Sequence, residues 1–436
     1  MSEVIYIVCS STGPTTTSES NSNKFHKWVK QADGQWLHSW GRVGDAGRSK
    51  LEDEVKMRKK LKESLTTLPD GTCYKQIEVA ADVGSGTVNG PAITKQDVRQ
   101  KAIDEISNGD SGLKDLVAML VDRNTRDVTS TTTLKMNNAT GLFQTDGGII
   151  VTSNVVEEAR HLLNKIKITL NGPTIRNKLS ENAADQLACD YLMKIPTNIG
   201  RNRPTFENVF PDKASIDKQD QILDALLGSI DMLAKPQPKK DEPKIEVKRT
   251  WNVKLTPTDV NELKRIDKYF RSTFQSMHAA AQAGLKPKRA WYLTIAHMDE
   301  AFKTDGAKVG NIKELWHGTR VGNLLSILSR GLIIPPWADA GRMFGDGIYF
   351  SDQSTKSLNY AYGYWSGGSK DNTCYMLLNN VALGKPYIPN SKGSWKKAPD
   401  GHDSTFARAG EVVFNNEMIV YRASQCHVTR LVEFGK

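Results

Sequence analysis

Residues 4–8 (VIYIV) form a β-branched run that predicts a strand, and the Ser/Thr/Asn-rich residues 10–23 predict a loop. Lys24–Lys30, the turn Ala32–Asp33–Gly34 and the partly alternating Gln35–Trp40 predict a hairpin. Leu51, Val55, Arg58, Leu61 and Leu65, at near-helical spacing, predict a helix on that small sheet, so residues 1–82 read as a β-rich module. Gly-rich Val83–Pro91 predicts a linker. Residues 92–235 carry helical stripes: Leu113, Leu116, Val117, Leu120; then Val155, Val156, Ala159, Leu162, Leu163; then Ile222, Leu223, Leu226, Leu227, Ile230, Leu233. Asn154 and Ser215 predict helix starts, Gly172–Pro173 a stop, and Thr129–Asn138 a polar loop.

Pro- and Lys-rich residues 235–249 predict a second linker. Thr256–Pro257 predicts a helix start, with Val260, Leu263, Ile266, Phe270 and Phe274 on one face. From Trp291 onward, short runs (Trp291–Ile295, Gly347–Phe350, Tyr375–Val381, Val412–Phe414, Met418–Tyr421, Val428–Phe434) alternate with turns. That texture predicts an α+β domain over 250–436 built on antiparallel sheet, and a multidomain α+β chain as a whole.

Composition narrows the class. At 436 residues the chain is long enough for two to four domains. No run approaches the ~18 apolar residues of a membrane span, and the N-terminus does not read as a signal peptide, so an intracellular protein without a membrane partner is expected. The five cysteines (Cys9, Cys73, Cys189, Cys374, Cys426) are widely spaced and contain no CxxC pair, which predicts free thiols and no metal site. Of the net +10, residues 1–79 contribute +2 (12 basic, 10 acidic), 80–239 contribute −1 (19 and 20) and 240–436 contribute +9 (28 and 19).

Three segments of the basic C-terminal part suggest chemistry. In Leu315-Trp316-His317-Gly318-Thr319-Arg320 a strand runs into a glycine and then a helical stretch; the glycine lets a planar amide approach the backbone. Met343–Asp352 (MFGDGIYFSD), with Ser357 and Tyr360 downstream, sets two glycines beside tyrosines suited to holding a flat aromatic ring. In Asn415–Tyr421 (NNEMIVY), the carboxylate of Glu417 begins a β-forming run.

In this order the segments resemble the catalytic domain of the poly(ADP-ribose) polymerase family, through WHGTR, MFGDGIYFSD, KSLNY (356–360), VALG (381–384) and NEMIVY (416–421). Residues 36–44 (WLHSWGRVG) resemble the family's WGR module, and LKDLVAMLVD, LSENAADQL and DQILDALLGSIDML resemble its helical regulatory domain. The implied organisation is a WGR domain (1–82), an all-α regulatory domain (92–235) and an ADP-ribosyltransferase catalytic domain (250–436).

The resemblance implies that NAD is the substrate and that ADP-ribose passes to protein acceptors, the chain itself included, and onto growing chains. Glu417, His317 and Tyr349 are the implied catalytic triad. Glu417 is expected to bond the nicotinamide-ribose 2′-hydroxyl, and His317 that of the adenine ribose. Gly318 and Ser357 are expected at the carboxamide, Tyr349 and Tyr360 on the two ring faces, Lys356 to orient Glu417 or the acceptor, and Thr319 and Arg320 toward the adenosine. Where relatives carry lysine in MFGxGIYF this chain has Asp346, whose charge is expected to repel the pyrophosphate. Trp40 and Arg42 are the expected contacts to DNA ends or nicks, which activate the enzyme as a monomer. The expected location is the nucleus in a eukaryote, or the cytoplasm in a bacterium or virus. Single ADP-ribose transfer and an inactive scaffold are the competing expectations.

Overall fold

The computed structural model describes residues 4–9, 24–42, 47–66, 74–76, 95–107, 109–136, 143–145, 151–171, 180–197, 199, 202–233, 252–334, 342–365 and 372–436. The expected loop 10–23, the linkers 83–91 and 235–249, and the stop at Gly172–Pro173 lie outside them. The protein is mixed α+β with antiparallel sheets and divides into two compact units, residues 1–98 with 124–230 and residues 99–123 with 231–436.

In the first unit, strands β1 (Val4–Cys9), β2 (Lys24–Lys30), β3 (Trp36–Arg42), β4 (Arg48–Glu52) and β5 (Lys75–Gln76) form a sheet in the order β4-β3-β2-β1-β5. The predicted hairpin is β2–β3, closed at Gly34, whose φ of 85° is available to glycine. The helix α1 (Glu54–Leu65) is out of phase with the expected stripe: Leu51 belongs to β4, Val55 is 78% exposed, and Met57 is the residue buried against Trp28 and Trp36. Asp53 sets this phase by accepting the Lys56 N–H at 2.8 Å.

Helix α2 (Lys95–Ser107) precedes α3 (Ser111–Thr131), which runs through the first three positions of the expected Thr129–Asn138 loop. A two-stranded ribbon, β6 (Lys135–Met136) with β7 (Phe143–Gln144), then interrupts a segment expected to be all helical. Helices α4 (Ser153–Asn171), α5 (Glu181–Lys194), α6 (Phe206–Val209) and α7 (Lys213–Leu233) follow. Their stripes meet as expected in a core containing Val156, Ala159, Leu163, Leu223 and Leu226. The caps are displaced: Thr152 accepts from Val155 at 3.4 Å and Asp212 from Ser215 at 2.8 Å, so α4 and α7 start before Asn154 and Ser215. Between α4 and α7, Arg160 meets Asp220 (3.1 Å) and Asp224 (2.6 Å), and Lys167 meets Asp220 (2.6 Å). Such a buried charge seam adds little net stability over an apolar one.

In the second unit, β8 (Val253–Pro257), α8 (Val260–Ser272), α9 (Ala279–Gln282), β9 (Lys286–Ile295), α10 (Ala296–Thr304), β10 (Ile312–Gly318), α11 (Leu324–Arg330), β11 (Ile348–Phe350) and α12 (Ser354–Ala361) come first. They are followed by β12 (Thr373–Ala382), β13 (Pro386–Tyr387), β14 (Ser404–Ala407), β15 (Glu417–Val420) and β16 (Cys426–Gly435). One sheet has the order β10-β12-β16-β9-β8 and the other β11-β15-β14-β13. They are stitched at Trp316 and Ser351, whose backbones exchange bonds of 2.9 and 3.0 Å.

Two segments of this unit depart from expectation. Thr256–Pro257 ends the edge strand β8, where proline costs no ladder bond, and α8 starts later because Asp259 accepts from Asn261 and Glu262 (2.9 and 2.8 Å). Val260 and Phe274 are accordingly exposed, while Ile266 and Phe270 face the core. Val412–Phe414 is no strand: Val413 makes a single bridge to Ala409, and Phe414 is 90% exposed.

Trp316, fully buried among Tyr269, Phe270 and Phe434, anchors the strand that carries His317. Replacing it by alanine is expected to cost about 3–5 kcal/mol, read as a lowered urea midpoint of unfolding.

Candidate functional site

Four elements of the second unit converge. Strand β10 ends on His317 and Gly318, β11 carries Tyr349, the buried helix α12 carries Lys356, Ser357 and Tyr360, and β15 begins on Glu417. The register fixes this: Tyr349 pairs with Ile419 across β11–β15, two residues along from Glu417.

The His317 Nδ1 lies 2.9 Å from the Tyr349 carbonyl. A carbonyl only accepts, so Nδ1 carries the proton and Nε2 is left as an acceptor. Burial, with the Lys356 charge nearby, pushes the His317 pKa down and keeps the ring neutral. The Lys356 ammonium lies 3.2 Å from Glu417 Oε1, with side-chain exposures of only 6% and 10%. Burial lowers the Lys356 pKa against the opposing pull of Glu417.

The Tyr349 hydroxyl donates to the Gly345 carbonyl (2.9 Å) and accepts from the Phe344 N–H (3.1 Å), so its role is to hold the glycine loop while its ring remains as a surface. Tyr360 is partly exposed, edge-on to Trp365 at 5.1 Å; burial, then Glu417, pushes its pKa up to about 12. Ser357 Oγ donates to the Trp316 carbonyl at 3.3 Å. Thr319 is buried and accepts from the Asn323 amide at 2.9 Å. Gly318 has a packing cause: a Cβ there would overlap the carbonyl of Ser357, so the glycine lets β10 press onto α12. Asp346 is ion-paired with Arg342 at 3.3 Å, which offsets the repulsion expected of it.

The network behind Glu417 has no clear signature in the amino-acid pattern. Asn416 donates to Asp352 (3.1 Å), accepts from the Ala409 N–H (2.9 Å), and has its carbonyl bonded by Ser351 Oγ (2.8 Å). Asn415 contacts His278, which contacts Asn359, both at 2.9 Å. The one signal available was the Asn-Asn pair before Glu417, which otherwise reads as an edge. Elsewhere in this unit a cavity of about 460 Å³, lined by residues including Asp115, Arg123, Arg289 and Glu433, contains none of the candidates. Among the described residues, no His, Cys, Asp or Glu group could hold a metal ion, and no helix is long and apolar enough to cross a membrane.

Residues 260–413 match the poly(ADP-ribose) polymerase catalytic domain model. The chain carries that family's catalytic domain. The match takes in every candidate from His317 to Tyr360 and ends just before Glu417. The chain is 27% identical over 431 residues to protein mono-ADP-ribosyltransferase PARP3 of Mus musculus, covering 90% of this chain and 75% of that protein. It is 28% identical over 313 residues to poly [ADP-ribose] polymerase 1 of Gallus gallus (64% and 30% covered) and 33% identical over 213 residues to poly [ADP-ribose] polymerase 2 of Homo sapiens (45% and 33% covered). Poly(ADP-ribose) polymerase domains are ADP-ribosyltransferases that use NAD as substrate.

Trp40 and Arg42 belong to the first unit. Gly41 between them is required because a Cβ would press on Gly47 at 2.8 Å. Trp40 stacks on His38 (4.7 Å), which stacks on Trp28 (4.5 Å) and His26 (5.1 Å). Beneath this ladder the buried Glu52 meets Lys60 (2.7 Å), Lys50 (3.1 Å) and His38 (3.3 Å). Burial works to raise the Glu52 pKa, but those partners outweigh it and hold it at about 2. Both ammonium groups lie 5.8 Å from the Trp40 ring centre.

Two outcomes are expected. Gly318→Ala, by forcing β10 off α12, lowers the melting temperature and reduces NAD-dependent labelling at least tenfold. Burial, then His38 and Lys60, lowers the His26 pKa to about 4, with Lys24 acting the same way and Glu52 opposing. The unfolded chain therefore binds the proton more readily. The stability tied to His26 is complete above its ordinary 6.5 and drains away as pH falls toward 4. Urea midpoints between pH 7.5 and 5 should fall more steeply for the wild type than for His26→Gln.

Proposed function

We propose that this chain is a DNA-break-stimulated poly(ADP-ribosyl)transferase of the DNA damage response, with Glu417 as its catalytic carboxylate. The observation that carries this reading is the buried Glu417–Lys356 pair next to α12, in the same unit as a neutral His317 whose Nε2 is an acceptor. The bond between the nicotinamide nitrogen and ribose C1′ breaks, and its electron pair leaves with nicotinamide, which becomes neutral. Positive charge develops on the ribose, where a carboxylate is worth more than in the ground state. A carboxylate or other oxygen on the protein, or a hydroxyl on an ADP-ribose chain, forms the new bond at C1′, and a hydroxyl acceptor gives up its proton to Glu417, which passes it to water.

Glu417 accepts from the nicotinamide-ribose 2′-hydroxyl and from the acceptor hydroxyl. His317 Nε2 accepts from the adenine-ribose 2′-hydroxyl. The Gly318 backbone and the Ser357 hydroxyl engage the carboxamide, the Tyr349 and Tyr360 rings flank the cationic nicotinamide, and Lys356 holds Glu417. Thr319 and Arg320 lie toward the adenosine.

The domain organisation belongs to the same proposal: residues 1–82 bind DNA ends or nicks, 92–235 regulate, and 250–436 catalyse. Trp40 with Lys50 and Lys60 around it supports stacking at a broken end, and Arg42 supports phosphate contact, which positions without reading sequence. The charged seam between α4 and α7 supports a helical segment that loosens at modest cost. A monomer acting in the nucleus, or in the cytoplasm of a bacterium or virus, completes the proposal.

Single transfer is the second reading, favoured because the relatives matched over 90% of this chain are named mono-ADP-ribosyltransferases. Labelled NAD with and without nicked DNA, with wild type beside Glu417→Gln, separates them. A DNA-dependent ladder that falls about 10²–10³-fold in the variant, with NAD affinity little changed, supports polymer formation. A single band selects mono-transfer, and absence of label with DNA still bound leaves a scaffold.

A further inference from the structure

A buried histidine that the chemistry above does not use links two elements of the site. His278 is 5% exposed in the turn before α9, and both ring nitrogens are engaged, Nδ1 with the Asn359 amide nitrogen and Nε2 with Asn415 Oδ1, each at 2.9 Å. The polarity of this chain is determined from one end. The Ala280 N–H donates to Asn359 Oδ1 at 2.8 Å, so the Asn359 amide nitrogen donates to His278 Nδ1. His278 Nε2 then carries the proton and donates to Asn415. Burial, followed by the Lys356 charge, lowers the His278 pKa against the Asn415 bond, in keeping with a neutral ring.

Asn359 lies on α12 with Lys356, Ser357 and Tyr360, and Asn415 lies two residues before Glu417. The turn is itself fastened to α12: Gln275 and Thr355 exchange bonds of 2.8 and 2.9 Å, and the Ser354 N–H donates to the Thr273 carbonyl at 2.9 Å. His278 extends that fastening to the start of β15. We propose that His278 is a positioning residue for the transfer reaction, setting the Glu417 carboxylate relative to α12 through Asn415. This inference rests on Glu417 being the catalytic carboxylate. Placement within about 0.5 Å matters to a group that acts on transition-state charge more than to one that binds the ground state.

The test compares steady-state kinetics for NAD in the 436-residue chain for wild type, His278→Ala, His278→Gln, Asn415→Ala, the double alanine variant and Glu417→Gln, with melting temperatures alongside. The expected result is a kcat about 10–100-fold lower in His278→Ala with KM for NAD within threefold. Glutamine, which offers both a donor and an acceptor, should restore most of it, and the double variant should be no worse than either single one. A folded His278→Ala with kcat within twofold of wild type, a loss confined to KM, or additive losses in the double variant would overturn the inference. Should His278→Ala not fold, the kcat-against-KM split in His278→Gln and Asn415→Ala decides by the same criteria. Undiminished kcat in Glu417→Gln would instead overturn the catalytic assignment on which the inference depends.

Discussion

The second unit is organised around an ion pair held almost entirely out of water. Glu417 and Lys356 are both nearly buried, and a buried ion pair breaks even only when its geometry is fixed and its remaining valences are met. This requirement explains why so much of the neighbouring chain is polar yet internal. Asn416 is held at three points, Asn415 is held by His278, and the N-terminal end of α12 is bonded to the end of α8 and the turn after it. Without that scaffold the carboxylate would have alternatives to facing the lysine. With it, one negative group is kept in a low-dielectric setting, where its electrostatic reach is greatest.

The same demand shapes the backbone. His317 can be neutral with a known tautomer because Tyr349 offers a carbonyl, and Tyr349 offers it because the Trp316–Ser351 stitch brings the two sheets together at that position. Gly318 permits the approach of α12, and Trp316 fills the core beneath. Histidine, tyrosine and glutamate come from three separated segments of sequence, yet each is one or two residues from a fixed junction.

Legibility from sequence followed the range of the forces involved. Strands such as β1, β12 and β16 were visible because they are rich in apolar and β-branched residues, and the candidate residues stood out because their neighbours spell motifs. What escaped was decided by single caps and distant partners. Asp53, Asp212 and Asp259 each moved a helix start away from the expected one, since one side-chain acceptor outweighs a loose apolar stripe. The His278–Asn359–Asn415 chain spans 137 residues of sequence and has no periodicity to betray it. Asp346 looked hostile to a phosphate because the sequence could not show Arg342 beside it.

The two units handle buried charge in different ways, and the difference bears on how each behaves under load. In the first, Glu52 gathers two lysines and a histidine under a stack of rings, and Arg160, Lys167, Asp220 and Asp224 share one seam; both clusters are mutually compensating but span separate elements. Separating those elements exposes charges that water readily solvates, so opening costs less than breaking an apolar contact of the same size. In the second, the Glu417–Lys356 pair is backed by neutral amides and a neutral imidazole, which water would solvate no better than their present partners do. A carboxylate held that way resists displacement, whereas a charge seam between helices yields at lower cost.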